Sequence, residues 1–179
     1  MNYPGVISGD GDVLEKIEAS EGRPVDGHAP GLSGPELSAY IAAGIMSDHE
    51  CTTIEEASEK LRLGMHIMIR EGSSEKNLEA LLPLASGEAY RQCMFVVDDR
   101  SAADLFHEGD VDHVVRRAIA LGLDPVRAVQ LATINPAQYF RLHDRGAIAP
   151  GLQADLVTVD DLKAFIVDRV FHRGRLVAR

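Results

Sequence analysis

Four short stretches of this sequence end in side chains that bind metals or move protons. The stretch over 23–29 ends on His28. The one over 44–50 ends on Asp48, His49 and Glu50. The one over 65–71 ends on Arg70 and Glu71, and the one over 93–99 runs into Asp98, Asp99 and Arg100. Neutral imidazoles and carboxylates are the donors that Zn²⁺, Mn²⁺ and Fe²⁺ sites use. A metal so held lowers the pKa of a bound water toward ~7 and supplies hydroxide as nucleophile. A carboxylate beside it can take the proton and return it to the leaving group. The recurrence carries this reading. A lone His at a strand end is ordinarily a hydrogen-bonded or surface residue, whereas two His and an Asp pair at equivalent ends of three strands suggest one site.

The other candidates have plainer explanations. His66 lies inside the third stretch and reads as a packed or partnered histidine. His107, His113, His143 and His172 fall in helical or loop contexts and read as solvated. Asp10-Gly11-Asp12 has nothing after it at EF-hand spacing, so it reads as an exposed turn. Cys51 follows the second cluster and reads as buried filler.

The elements that must position these residues follow one pattern. Each stretch is β-rich and leads through a polar turn into a helical segment, spaced as βα units are. A helix over 33–43 opens with Ser33, Pro35 and Glu36, a capping-box arrangement. One over 53–63 has Thr53 with Glu56 and closes on Gly64. One over 74–85 starts from Ser74 and Asn77, with Pro83 expected to end or kink it early. Two more follow over 110–121 and 125–139, separated by Leu121-Gly122-Leu123-Asp124-Pro125. The tail changes character: strands are expected over 154–159 and 166–172, with an Arg173-Gly174 turn into Leu176-Val177.

Four βα units argue for a parallel sheet with helices outside. They are too few for a closed eight-stranded barrel, which takes ~250 residues. A four-stranded open α/β sheet is the plainest architecture. The 179 residues are 45% apolar with no Trp, enough for a core built on Ala, Leu, Val and Ile. The net charge of −10 and the absence of a basic run argue against nucleic acid and anionic lipid as partners. The two cysteines, Cys51 and Cys93, suit a reducing cytoplasm. No apolar stretch approaches the ~18 residues of a membrane span, and the opening residues are not those of a signal peptide.

Five segments together resemble a known family: Val25-Asp26-Gly27-His28-Ala29-Pro30-Gly31, Gly44-Ile45-Met46-Ser47-Asp48-His49-Glu50, Ile69-Arg70-Glu71-Gly72-Ser73, Asp98-Asp99-Arg100, and residues 146–156. They are similar to the adenine deaminases of the amidohydrolase superfamily, and the resemblance covers essentially the whole chain. It implies a TIM-like (β/α) barrel joined to a small β-sandwich. This chain would carry the C-terminal half of that barrel, strands five to eight, over 1–145, and part of the sandwich over 146–179. It implies a divalent metal, Mn, Fe or Zn. His28 would be the fifth-strand ligand and His49 the sixth. Asp98, preferred to Asp99, would be the eighth-strand carboxylate that binds metal and shuttles protons. Glu50, Arg70, Glu71 and Asp99 would support the ligands or touch substrate.

The implied reaction is attack of hydroxide at C6 of adenine, releasing ammonia and hypoxanthine, a step of adenine catabolism and purine salvage. The family's first-strand His-x-His pair and its bridging Glu are absent from this sequence. The isolated chain is therefore expected to bind metal weakly and to be inactive. It is expected to self-associate as a homo-oligomer or to pair with a missing N-terminal half, because a half-barrel exposes two sheet edges and an uncovered apolar face. The alternatives are a non-catalytic amidohydrolase-derived domain, or an amidohydrolase acting on another purine or a cyclic amide.

Overall fold

The computed structural model describes residues 2–179. The chain opens with two helices, α1 (Tyr3–Ser8) and α2 (Gly11–Glu18), in a region where the sequence reading assigned no element. Asn2 and Asp10 cap them, each accepting backbone N–H bonds from the first turn. Four strands follow, β1 (Val25–Gly27), β2 (Ile45–Asp48), β3 (His66–Arg70) and β4 (Cys93–Val96), each inside its expected stretch. They pair in the order β1-β2-β3-β4, all parallel. Helices α3 (Gly34–Ala42), α4 (Ile54–Arg62) and α5 (Leu78–Ser86) make the crossovers, as a parallel sheet requires.

Local chemistry sets most of the boundaries. Thr53 accepts the N–H of Glu56 and starts α4. Gly64 takes φ 93° just past its end, a conformation costly for any residue with a Cβ, and turns the chain straight into β3. Three expectations fail for identifiable reasons. Ser33 makes no side-chain capping bond to α3; Glu59 of the next helix takes the Gly34 N–H instead. Ser74 does not start α5, because its N–H and hydroxyl are both drawn to Asp99, and Asn77 stands at the helix start. Pro83 does not end α5, which runs on to Ser86. The carbonyl Pro83 leaves unbonded belongs to Glu79 in the exposed first turn, where water can serve it.

A short 3₁₀ turn over Glu88–Gln92 precedes β4, and α6 (Ala102–His107) and α7 (Val111–Ala120) come after it. The helix expected over 125–139 is two, α8 (Pro125–Ala132) and α9 (Ile134–Tyr139), broken at Thr133 with φ −129° and ψ −84°. Beyond the break Asn135 donates to the carbonyls of Tyr90 and Cys93, fixing α9 beneath the start of β4.

Strand alternation divides the core. Ile67, Ile69, Cys93 and Phe95 face the helices and pack with Leu78, Leu81, Val114 and Leu131. Met68 and Met94 face the other way and meet Tyr139 of α9. The face expected to lie uncovered is thus closed over these two methionines, which are 5% and 1% exposed, because the break at Thr133 lets α9 turn across it. Among the described residues the sheet stays open, and Asn2 forms a parallel bridge to His28 at its β1 edge. A second sheet, antiparallel β5-β6-β7, comprises β5 (Leu156–Val159), β6 (Val167–His172) and β7 (Arg175–Ala178). Its hairpin turn places Arg173 and Gly174 at φ 50° and 76°, the pair of positive values that fits the twist of the strands. No helix among the described residues is long and apolar enough to cross a membrane.

Candidate metal centre

The C-terminal ends of the four parallel strands lie side by side, and their polar residues meet there. His28 follows β1 and His49 follows β2, and their rings stand edge to face with centroids 5.5 Å apart. Glu50 reaches both. Its Oε1 lies 3.3 Å from His28 Nδ1 and 3.2 Å from His49 Nε2. The ligand atoms of these three residues fall within 4.8 Å of one another.

Asp26 orients the second histidine. Its Oδ2 lies 2.9 Å from His49 Nδ1. A carboxylate only accepts, so Nδ1 carries a proton, and Nε2 is the nitrogen left to serve as a metal ligand. The hydrogen bond to Asp26 holds the His49 pKa above its ordinary value against the opposing effect of burial. The other Asp26 oxygen accepts from Ser47, whose hydroxyl in turn takes the proton of Tyr139. The sequence reading missed Asp26. Alternation held the signal, since Asp26 sits two residues before His28 and shares its side of the strand.

Arg70, at the end of β3, has a side chain only 4% exposed. It donates to Glu50 at 2.6 Å and 3.2 Å, to Asp98 at 2.7 Å and to Glu75 at 3.0 Å. Burial works against its charge, but the Glu50 and Asp98 carboxylates outweigh it and raise its pKa. Asp98 therefore joins the histidine cluster through Arg70, not by direct contact. Its backbone is left-handed, φ 57°, and its neighbour Asp99 points elsewhere. Asp99 accepts from the N–H groups of Ser73, Ser74 and Glu75 and from the Ser74 hydroxyl. The Ser74 bonds hold its pKa at about 2. Asp99 is thus consumed by the loop after β3.

Glu71 also lies apart. It faces an outer cleft of about 660 Å³ between α5 and α7, with Lys76, Glu108, His113 and Arg117 in the wall. His113 is partly buried in that wall, not solvated as its sequence context suggested, and desolvation lowers its pKa. His66 stacks on Tyr139 with ring centroids 4.8 Å apart, and burial depresses its pKa. Cys51 is fully buried, its thiol pushed up by desolvation and by Asp48.

Two imidazole nitrogens and a carboxylate oxygen converging from neighbouring strands are a donor set that suits Zn²⁺, Mn²⁺ or Fe²⁺. Around them stand the carboxylates of Asp26, Glu50 and Asp98, with one guanidinium, Arg70, paired to the last two. The surplus negative charge favours a dication, so the residues present fit the group.

A family model described as "Amidohydrolase family" matches residues 2–177. A protein named adenine deaminase from Dehalococcoides mccartyi is 63% identical over 178 residues, covering 99% of this chain and 31% of that protein. One of the same name from Nitratidesulfovibrio vulgaris is 50% identical over 181 residues, covering 32% of its length. The chain thus spans about a third of the length of the curated relatives it matches. Among solved structures, an N-acetyl-D-glucosamine-6-phosphate deacetylase from Mycobacterium smegmatis superposes with TM-score 0.72 at 18% identity, covering 97% of this chain and 52% of that one. A β-aspartyl dipeptidase from Fervidobacterium islandicum gives TM-score 0.70 at 17% identity, covering 98% and 53%. At such identities the likeness speaks for the fold alone.

Proposed function

The chain belongs to the amidohydrolase family, and from that premise we propose that it carries the C-terminal part of a metal-dependent adenine deaminase. Residues 1–145 are read as the half-barrel of strands five to eight and residues 146–179 as part of a β-sandwich. The four-stranded parallel sheet and the Asn2 bridge at its β1 edge support that division. The observation that carries the function is the meeting of His28, His49 and Glu50 at adjacent strand ends, in a chain 63% identical to a protein named adenine deaminase.

In this reading His28 and His49 would hold a divalent ion, Mn, Fe or Zn, with Asp98 as the carboxylate ligand. The ion supplies Lewis acidity and a water of lowered pKa. Asp26, bonded to His49 Nδ1, leaves Nε2 as the nitrogen that would serve the ion. Asp98 takes the proton of the attacking water and returns it to the amino group leaving C6 of adenine. Water is consumed, ammonia leaves, and hypoxanthine remains. Arg70 and Glu50 set the position of Asp98 and border the purine. The site draws its remaining ligands from a segment outside these residues, and the chain works paired with that segment.

Ammonia release from adenine with Mn²⁺ tests this. The 179-residue chain is assayed alone and after co-expression with the portions of the Dehalococcoides relative that it does not match. The chain alone should be silent and the pair active, with His28→Ala and Asp98→Asn abolishing turnover. A pair that assembles yet releases no ammonia, or whose turnover survives both substitutions, overturns the proposal.

A further inference from the structure

Behind the histidines lies a second charged cluster that the chemistry above does not use. Lys60 comes from α4, on the helical side of the sheet, and is completely buried, as is Asp48 at the end of β2. The Lys60 Nζ donates to Ala29 O at 2.7 Å, Asp48 Oδ2 at 3.0 Å and Glu56 Oε1 at 2.7 Å, which uses all three ammonium protons. Asp48 Oδ1 accepts the Ala29 N–H at 2.9 Å. Asp48 Oδ2 also accepts the Glu50 N–H at 3.1 Å and the Cys51 thiol at 3.3 Å. Glu56 Oε1 takes the Gly31 N–H at 2.8 Å.

The pattern of contacts is selective. Both backbone polar groups of Ala29, the residue after His28, end on this one ion pair. Asp48 is the residue before His49, and it holds the N–H of Glu50. The pair therefore grips the backbone beside every member of the His28–His49–Glu50 cluster. Asp48, Cys51 and Glu56 also lie close enough together to resemble a cation site, but the Lys60 ammonium already fills it.

We propose that the Lys60–Asp48 pair is a positioning clamp that fixes His28 and His49 relative to each other, so that the two imidazoles present a preformed pair of ligand atoms. A buried ion pair is a poor source of net stability, because desolvating two charges offsets their attraction. Orientation of adjacent ligands is a better account of its placement. The Tyr40 hydroxyl holds His28 N–H and Asn77 holds His49 O, each from its own element, whereas the ion pair ties the two strand ends to each other. Groups that orient ligands typically change metal affinity by about 10–100-fold when removed.

This inference rests on the metal reading, and the test separates the two. Co²⁺ is titrated into the 179-residue chain and followed by its visible spectrum, while histidine side-chain ¹H–¹⁵N spectra are recorded without metal. Three variants are compared: Lys60→Met; Asp48→Asn/Glu56→Gln/Lys60→Met, which leaves no unpaired buried charge and so keeps the fold if the single variant loses it; and the core control Leu81→Ala. Both clamp variants should bind Co²⁺ at least about tenfold more weakly. Their metal-free spectra should show broadened or multiple His28 and His49 signals. Leu81→Ala should lower the melting temperature with neither change. Clamp variants with native Co²⁺ affinity and native histidine signals, altered only in melting, overturn the clamp. A native chain that binds no Co²⁺ while the clamp variants still disperse the histidine signals upholds the clamp and sinks the metal reading.

Discussion

Replacing Arg70 with methionine should cost the metal-free fold about 2–4 kcal/mol. Methionine keeps much of the buried stem and removes the guanidinium from among Glu50, Glu75 and Asp98. Breaking a buried ion pair from one side costs ~3–5 kcal/mol, since the partner stays buried and unpaired. Here the partners differ in exposure. Glu75 is 58% exposed and returns to water at little cost, Asp98 at 35% recovers part of its hydration, and Glu50 at 14% carries most of the loss. That discounts the upper figure. For a domain of this size the loss corresponds to a melting shift of about 5–15 °C. Urea unfolding with a shared m-value measures it. A second arm adds saturating Mn²⁺. The dication can replace the lost cation, so it should stabilise the variant more than the native chain. A loss below ~1 kcal/mol, against the buried-pair estimate, refutes the view that Arg70 is the counter-ion of the site. So does Mn²⁺ stabilising both chains equally.

Other expectations follow from single contacts. Gly27→Ala should be disruptive, because a Cβ there meets Ser47 O at 2.5 Å. The substitution forces β1 from β2 and with them the two histidines, at about 1–3 kcal/mol for overpacking, read as a fall in both urea midpoint and Co²⁺ affinity. Cys51 should resist alkylation in the folded chain at mildly alkaline pH and react on unfolding, because burial and Asp48 keep it a thiol; mass-detected labelling with and without urea reports this. Burial lowers the His66 pKa in the fold, so its contribution to stability is full above the unfolded value of ~6.5 and is lost as pH falls through the folded one. His66→Leu should therefore show a flatter acid limb than the native chain in urea midpoints taken across that range.

The strand ends were legible because metal-type residues there share neither the hydropathy nor the turn character of their surroundings. His28, His49, Arg70 and Asp98 all come together near one point. Contacts between elements distant in sequence were less legible. Nothing near Ser74 says that Asp99, 25 residues on, will take its N–H and hydroxyl, so a plausible capping residue went to a loop. That same loop draws Asp99 away from Asp98, a contact between distant elements that two adjacent aspartates do not announce. Lys60 was not singled out, because a helix pattern does not reveal which charge sits over a strand end. Asp26 was hidden for a different reason. Its i, i+2 relation to His28 was visible, but only the arrival of His49 Nδ1 gives it a partner.

The second sheet differs from the first in what shields its backbone. All of β7 is exposed, as are half the positions of β5 and of β6, and Val157, Ile166 and Val177 are more than half exposed. The parallel strands are locked beneath helices, whereas these ladders are guarded mainly by one another. Their amides should trade hydrogen for deuterium through a local opening that leaves the parallel strands intact. For a cell, the tail is then the first place a protease finds purchase, and damage there precedes any change at the histidines.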